Sequence, residues 1–119
     1  MESKHSLFKS FQFAFEGLKT ALIKGRNFKI QIGLGILSIF LGIILKISSF
    51  EWVDLFLIIA TVLILELINT SIEAIVDLVS PEIQEKAKIA KDVSAGAVLI
   101  ASIAAVFIGA FLFIPRLIH

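Results

Sequence analysis

The chain has 119 residues, is 58% apolar with a mean hydropathy of +1.00, carries a net charge of +1, and contains neither cysteine nor tyrosine. Soluble domains are usually about 45–50% apolar and a short one must cover its core with polar surface, so composition argues against an ordinary soluble globule and for one small domain of the membrane class. Near-neutral charge and only two prolines argue against a nucleic-acid-binding tail or a disordered chain, and the absence of thiols removes disulfide, thiolate-metal and thiol-redox chemistry.

In chain order, residues 1–29 form a basic leader. Phe8, Phe11, Phe15, Leu18 and Leu22 recur there at helical spacing among Lys4, Lys9, Lys19 and Lys24. Such a face predicts an amphipathic helix that lies in the cytoplasmic interface, packs on its own bundle, or does both. The first span, 30–47, runs between Lys29 and Lys46, with only Gln31 and Ser38 interrupting Ile30–Leu45. It is short against the roughly 20 apolar residues a span needs, but flanking lysines extend to the headgroups. With a basic leader before it and no small-x-small site after it, it is not expected to be a cleaved signal peptide.

The second span, 53–79, is long enough but carries Glu66, Asn69, Glu73 and Asp77. Residues 80–92 then form a connection. Ser80-Pro81-Glu82 reads as a helix start, with serine capping and proline in the first turn, opening a short amphipathic helix over Pro81–Lys91 that runs into the third span. The third span, 93–114, is charge-free and stops at Pro115-Arg116. Ala97, Ala101, Ala105 and Gly109 form a stripe along which helix backbones are expected to approach closely. Basic residues gather before the first span and, as Lys86, Lys88 and Lys91, between the second and third. The positive-inside rule makes both regions cytoplasmic and leaves the 46–54 connection and the C-terminus outside. The expected fold is an all-α integral membrane protein with an interfacial helix and three transmembrane helices.

The spacing of Glu66, Asn69, Glu73 and Asp77 by three, four and four residues places them on one helical face. Carboxylates facing lipid are prohibitively expensive, so this face meets a protein interior, a water-filled cavity or a cation. A polar seam that glues helices together is the plainer reading. With no basic residue in any span to neutralise the acids, a bound metal ion or shared protons are expected instead. Glu73 and Asp77 approach the cytoplasmic end, where Lys88, Lys91 and Asp92 open the third span. Carboxylates hold Mg²⁺ through oxygen and lysines hold phosphates, while the deeper Glu66 can take a proton from an alcohol anchored in lipid. Together these groups suffice for phosphoryl transfer, which depends on positioning and charge neutralisation. A small proton- or cation-conducting oligomer lined by Glu66, Glu73 and Asp77 is the other class of reading, and nucleotide dependence separates the two. Neither a G-x-x-x-x-G-K-[ST] loop nor the protein-kinase motifs are present. His5 and His119 are terminal and predict no histidine metal site.

The run Glu66-Leu-Ile-Asn69-Thr-Ser-Ile-Glu73-Ala-Ile-Val-Asp77, followed by Ala90-Lys91-Asp92-Val-Ser-Ala-Gly-Ala-Val98, closely resembles the prokaryotic diacylglycerol kinase family. That family includes diacylglycerol kinases and undecaprenol kinases. Gly25-Arg26-Asn27-Phe28, the Glu51-Trp52 turn and the Phe113-Ile114-Pro115-Arg116 ending look more like the undecaprenol kinase branch of Gram-positive bacteria. The resemblance implies an inner-membrane homotrimer that uses Mg-ATP to phosphorylate a lipid alcohol, undecaprenol ahead of diacylglycerol. It implies Glu66 as general base and Glu73 as metal and nucleotide ligand. Asn69 and Asp77 organise that site, Asp77 beside the nucleotide. Lys91 and Asp92 match nucleotide-contacting positions, and Glu82, Ile83 and Gln84 fall where the loop reaches the nucleotide. Nucleic acid is not an expected partner. One departure stands out: the family's second metal ligand, a glutamate before the first span, falls on Gly25 here. Glu73 with phosphate oxygens and water is then expected to hold Mg²⁺, and Gly25→Glu to raise activity or metal affinity.

Overall fold

The computed structural model describes residues 6–82 and 84–118, which fold as α1 (Leu7–Lys24), α2 (Phe28–Leu45), α3 (Ser49–Val79) and α4 (Glu85–Leu117). The last three are long and apolar enough to cross a membrane, and at most 22% of the most apolar window of any of them is buried. Their hydrophobic side chains therefore face outward, the reverse of a water-soluble core. This is the multi-pass, all-helical architecture that composition and periodicity predict. Lys4, His5, Ile83 and His119 lie outside the described residues.

Helix α1 is capped by Ser6, whose side chain accepts from the Lys9 amide. Only Ala21, in its last turns, is buried, and Phe8, Phe11 and Phe15 are exposed. The aromatic stripe is thus not spent on packing against the chain's own helices.

A tight turn reverses the chain between α2 and α3. Lys46 adopts a left-handed conformation (φ 56°, ψ 55°), its N–H and that of Ile47 reaching back to Ile43 and Gly42. This is the Schellman closure, usually given to glycine. A lysine holds it here because Ile47 then turns inward and is buried beside Leu55, Leu112 and Phe113. Gly42 makes the closeness possible: a Cβ there would stand 2.8 Å from Trp52 and 3.0 Å from Ile47.

Helix α3 starts earlier than expected. Ser48 and Glu51 form a reciprocal capping box, Ser48 Oγ accepting from the Glu51 amide and Glu51 Oε1 from the Ser48 amide. Glu51 and Trp52 are therefore helical rather than a turn. The same carboxylate takes both guanidinium nitrogens of Arg116, at 2.7 and 3.0 Å. That fork pins the start of α3 to the end of α4, which run antiparallel as the main helix pair of the bundle.

Three expectations about α4 are corrected. Ser80 closes α3, its N–H reaching Val76 at 2.7 Å, rather than opening the next helix. Pro81 explains this, because the residue before proline is driven out of helical geometry. The next helix begins at Glu85 and runs without a break into the third span, as expected of the 81–91 segment apart from its later start. At the far end it passes through Pro115 to Leu117, which costs little because proline there removes one bond in a terminal turn. The small-residue stripe is used unevenly. Ala101 is buried, but an added Cβ at Gly109 would meet nothing within 4 Å, and Ala105 and Gly109 line an open groove instead.

Candidate functional site

The polar face of α3 reaches three neighbours near the end of the bundle where α1 meets α2. Glu66, 3% exposed, accepts from Gln31 Nε2 of α2 at 3.3 Å. Asn69, also buried, accepts from Ser94 Oγ of α4 at 2.5 Å and turns its amide toward Glu73 Oε2 at 3.5 Å. That same oxygen accepts from Arg26 Nη2 at 3.2 Å, in the link between α1 and α2. Asp77 accepts from Lys91 Nζ of α4 at 2.6 Å, and Asp92 from Lys88 Nζ at 2.6 Å. The seam therefore joins helices as well as presenting chemistry.

The apolar runs of the spans hold no basic residue, as expected, but cations flanking them reach the acids: Arg26 pairs with Glu73 and Lys91 with Asp77. The reason is the unbroken α4, which carries Lys91 alongside Asp77, and the α1–α2 link, which folds Arg26 over Glu73. Side-chain exposures of 76% and 30% for the first pair, and 40% and 64% for the second, make these solvent-screened pairs. Such pairs contribute about 0–1 kcal/mol, so they do not hold the fold together and their charges are open to exchange. Glu66 differs: it enters no ion pair among the described residues.

Three concave surfaces organise these groups. A cleft of about 320 Å³ is walled by Arg26, Gln31, Glu66, Asn69 and Ser102, with apolar residues of α2 and α4. An apolar groove of about 330 Å³ between α2, α3 and α4 shares Gln31, Leu34 and Ser102 with it. The groove thus runs along the spans and opens, at Gln31, beside Glu66. Gln31 Oε1 is buried there without a hydrogen-bond partner. A further cleft of about 290 Å³, between the end of α3 and the start of α4, gathers Asp77, Glu82, Gln84, Lys88, Lys91 and Asp92. Residues separated in sequence are brought around one charged opening, with Ile83 outside the described residues.

Sequence reasoning passed over three members of this arrangement. Arg26 counted only as one basic residue of the leader and of the Gly25-Arg26-Asn27-Phe28 motif, Gln31 only as an interruption of an apolar span, and Ser94 only as part of a motif. Gln31 carried a usable signal, because a polar side chain inside a span needs a partner on another helix.

Among the described residues, no group of three acidic or histidine side chains gathers as a metal site. Glu73 offers one carboxylate, and position 25 none. This donor set fits a Mg²⁺ that arrives with phosphates, since Mg²⁺ takes one or two carboxylates and draws its remaining ligands from phosphate and water. It does not fit a resident ion. Geometry sets a cost against the expected gain from Gly25→Glu. A Cβ at Gly25 would lie 2.6 Å from the Ala21 carbonyl oxygen and 3.3 Å from Phe28 Cβ. Gly25→Glu is expected to destabilise the protein by about 1–3 kcal/mol through overpacking, visible as a lower thermal midpoint in detergent, without raising Mg²⁺ affinity. Higher affinity at unchanged stability would show that the link yields and delivers the carboxylate.

Comparison with known proteins places the site in context. The family model described as prokaryotic diacylglycerol kinase matches residues 12–113. A diacylglycerol kinase of Synechocystis is 42% identical over 95% of this chain, which spans 65% of that relative's length. An undecaprenol kinase of Bacillus subtilis is 36% identical over 92% of this chain and 89% of its own. A diacylglycerol kinase of Escherichia coli is 32% identical over 84% and 82%.

Proposed function

The chain belongs to the prokaryotic diacylglycerol kinase family, and from that premise we propose that it is a lipid kinase, transferring the terminal phosphoryl group of ATP to the hydroxyl of a membrane lipid alcohol. The observation that carries the reading is the apolar groove among the spans, which opens at Gln31 into the cleft of Glu66. A lipid lying in such a groove brings its tail against Leu34, Ile59 and Val62 and its polar end to a buried carboxylate.

In this proposal Glu66 takes the proton of the lipid hydroxyl. That oxygen forms a bond to the terminal phosphorus, the bond from phosphorus to the bridging oxygen breaks, and ADP leaves. Asn69, fixed between Ser94 and Glu73, organises the site. Glu73 would hold the Mg²⁺ that neutralises phosphate charge. Asp77, Lys91, Asp92, Glu82 and Gln84 surround the nucleotide in the charged cleft. Catalysis then rests on positioning and charge neutralisation.

The protein works as a homotrimer in the inner membrane in this reading, its N-terminus cytoplasmic and its C-terminus outside. The open groove on one subunit supports sites completed at subunit boundaries, since three thin helices cannot enclose a nucleotide and a lipid together.

Undecaprenol is the proposed acceptor, on the branch resemblance of Gly25-Arg26-Asn27-Phe28 and Phe113-Ile114-Pro115-Arg116. Diacylglycerol is the second reading, favoured by the name of the Synechocystis relative. ADP release by purified protein in mixed micelles with Mg-ATP, each lipid offered separately, decides. Turnover with undecaprenol alone is expected. Turnover with diacylglycerol alone reverses the choice of acceptor and keeps the reaction class. Folded protein silent with both lipids overturns the kinase reading.

A further inference from the structure

Arg26 has no part in the roles assigned above, yet it stands at the centre of the site. It lies in the link between α1 and α2, its side chain is 76% exposed, and its Nη2 donates to Glu73 Oε2 at 3.2 Å across 47 positions of sequence. It is also the one lysine or arginine among the described residues that line the cleft of Glu66 and Asn69. Lys88 and Lys91 are engaged elsewhere, on Asp92 and Asp77 around the other opening.

We propose that Arg26 binds the phosphate that is transferred, gripping the terminal phosphoryl group of the nucleotide beside Glu66. The inference rests on the kinase reading and adds to it a recognition residue. Three observations support it. A guanidinium is a planar fork of donors that matches phosphate oxygens two at a time. Its partner Glu73 is the carboxylate suited to the incoming cation, so a Mg-nucleotide supplies an exchange partner to both members of the pair. Glu73 trades Arg26 for the cation and Arg26 trades Glu73 for phosphate, leaving neither charge uncompensated. Finally, the neighbouring position is a glycine whose Cβ would collide with the Ala21 carbonyl oxygen. The link thus brings a positive group to the phosphate and no second carboxylate to a metal.

Placement separates the phosphates. Arg26 shares its cleft with the proposed base, where the transferring group must sit, whereas Lys91 occupies the cleft assigned to the rest of the nucleotide. Loss of Arg26 should therefore be felt by a triphosphate and scarcely by a diphosphate.

The test is calorimetric titration of the full chain in detergent micelles with Mg²⁺ and either β,γ-imido-ATP or ADP. Wild type, Arg26→Gln and Arg26→Lys are compared, each checked for an unchanged thermal midpoint. The expected result is a loss of about tenfold or more in imido-ATP affinity for Arg26→Gln, as removal of a charge-assisted hydrogen bond gives, with ADP affinity changed less than about twofold. Arg26→Lys should recover part of the loss, having the charge without the fork. Equal weakening of both nucleotides, or no weakening, in wild-type-like folded protein overturns the role of Arg26 and leaves the kinase reading standing. Failure of the wild type to bind either nucleotide removes the kinase reading and this inference with it.

Discussion

Glu66→Gln is expected to lower phosphoryl transfer by about 100- to 10,000-fold, the usual contribution of a positioned general base, while the folded assembly survives. The structure makes the second half as specific as the first. Glu66 is 3% exposed and touches Gln31 through one hydrogen bond of 3.3 Å. An amide at position 66 keeps that contact when its carbonyl oxygen faces Gln31 Nε2, and its N–H₂ can then donate to Gln31 Oε1, which is otherwise without a partner. Stability should therefore be unchanged or slightly raised. Turnover assays and thermal unfolding of the same preparation check both halves. Retained turnover would remove Glu66 from the role of base, and lost assembly would make it a structural residue.

Glu73→Gln should cost at least about a hundredfold in turnover at fixed Mg-ATP, since even groups that support a metal ligand indirectly contribute about 10–100-fold. The stability change should be small. The pair that Glu73 makes with Arg26 is solvent-screened, with the arginine side chain 76% exposed, and is worth about 0–1 kcal/mol. Removing one carboxylate thus separates chemistry from folding. A Mg²⁺ titration of ADP release reads the result: the midpoint should move to higher concentration in the variant. An unshifted midpoint with wild-type turnover would show that Mg²⁺ is held without Glu73.

Much of the architecture was legible because a membrane span is written in bulk hydropathy. Leu, Ile, Phe and Val over the length of a bilayer leave few alternatives to a helix. Likewise, spacing alone predicted that Glu66, Asn69, Glu73 and Asp77 share a face. Helix ends were harder, for physical reasons that differ from case to case. At Ser48–Glu51 the capping box was present in the sequence, but Glu51 and Asp54 interrupt the apolar run and so resemble a loop. At Ser80-Pro81 the residues suit either a helix start or a stop. Pro81 decides for the stop by driving Ser80 out of helical geometry, and the contact of Asp77 with Lys91 fits it. At Lys46 nothing local favours a left-handed residue, and the burial of Ile47 brings it about.

Partners across helices were the least legible part of the site. Arg26 reaches Glu73 because a link folds back over α3, and Ser94 meets Asn69 because α4 begins well before the membrane. Neither follows from periodicity within one segment. Gly25 is a related case. An alignment treats the position as a ligand that has been lost, whereas the crowding against Ala21 and Phe28 ties it to the geometry of the link itself.

The continuity of α4 has a mechanical consequence. Lys91 and Ser94 near one end, and Leu112, Phe113 and Arg116 near the other, belong to a single rod of 33 residues, about 50 Å long at 1.5 Å per residue. The Arg116 fork on Glu51 and the packing of Leu112 and Phe113 fix the rotational phase of that rod at its C-terminal end. Because each helical residue advances the direction of its side chain by about 100°, the aim of Ser94 at Asn69 and of Lys91 at Asp77 is set by clocking at the opposite end of the rod. The end of the molecule that carries the Arg116 fork thereby acts as the indexing mark for the polar cluster at the other end.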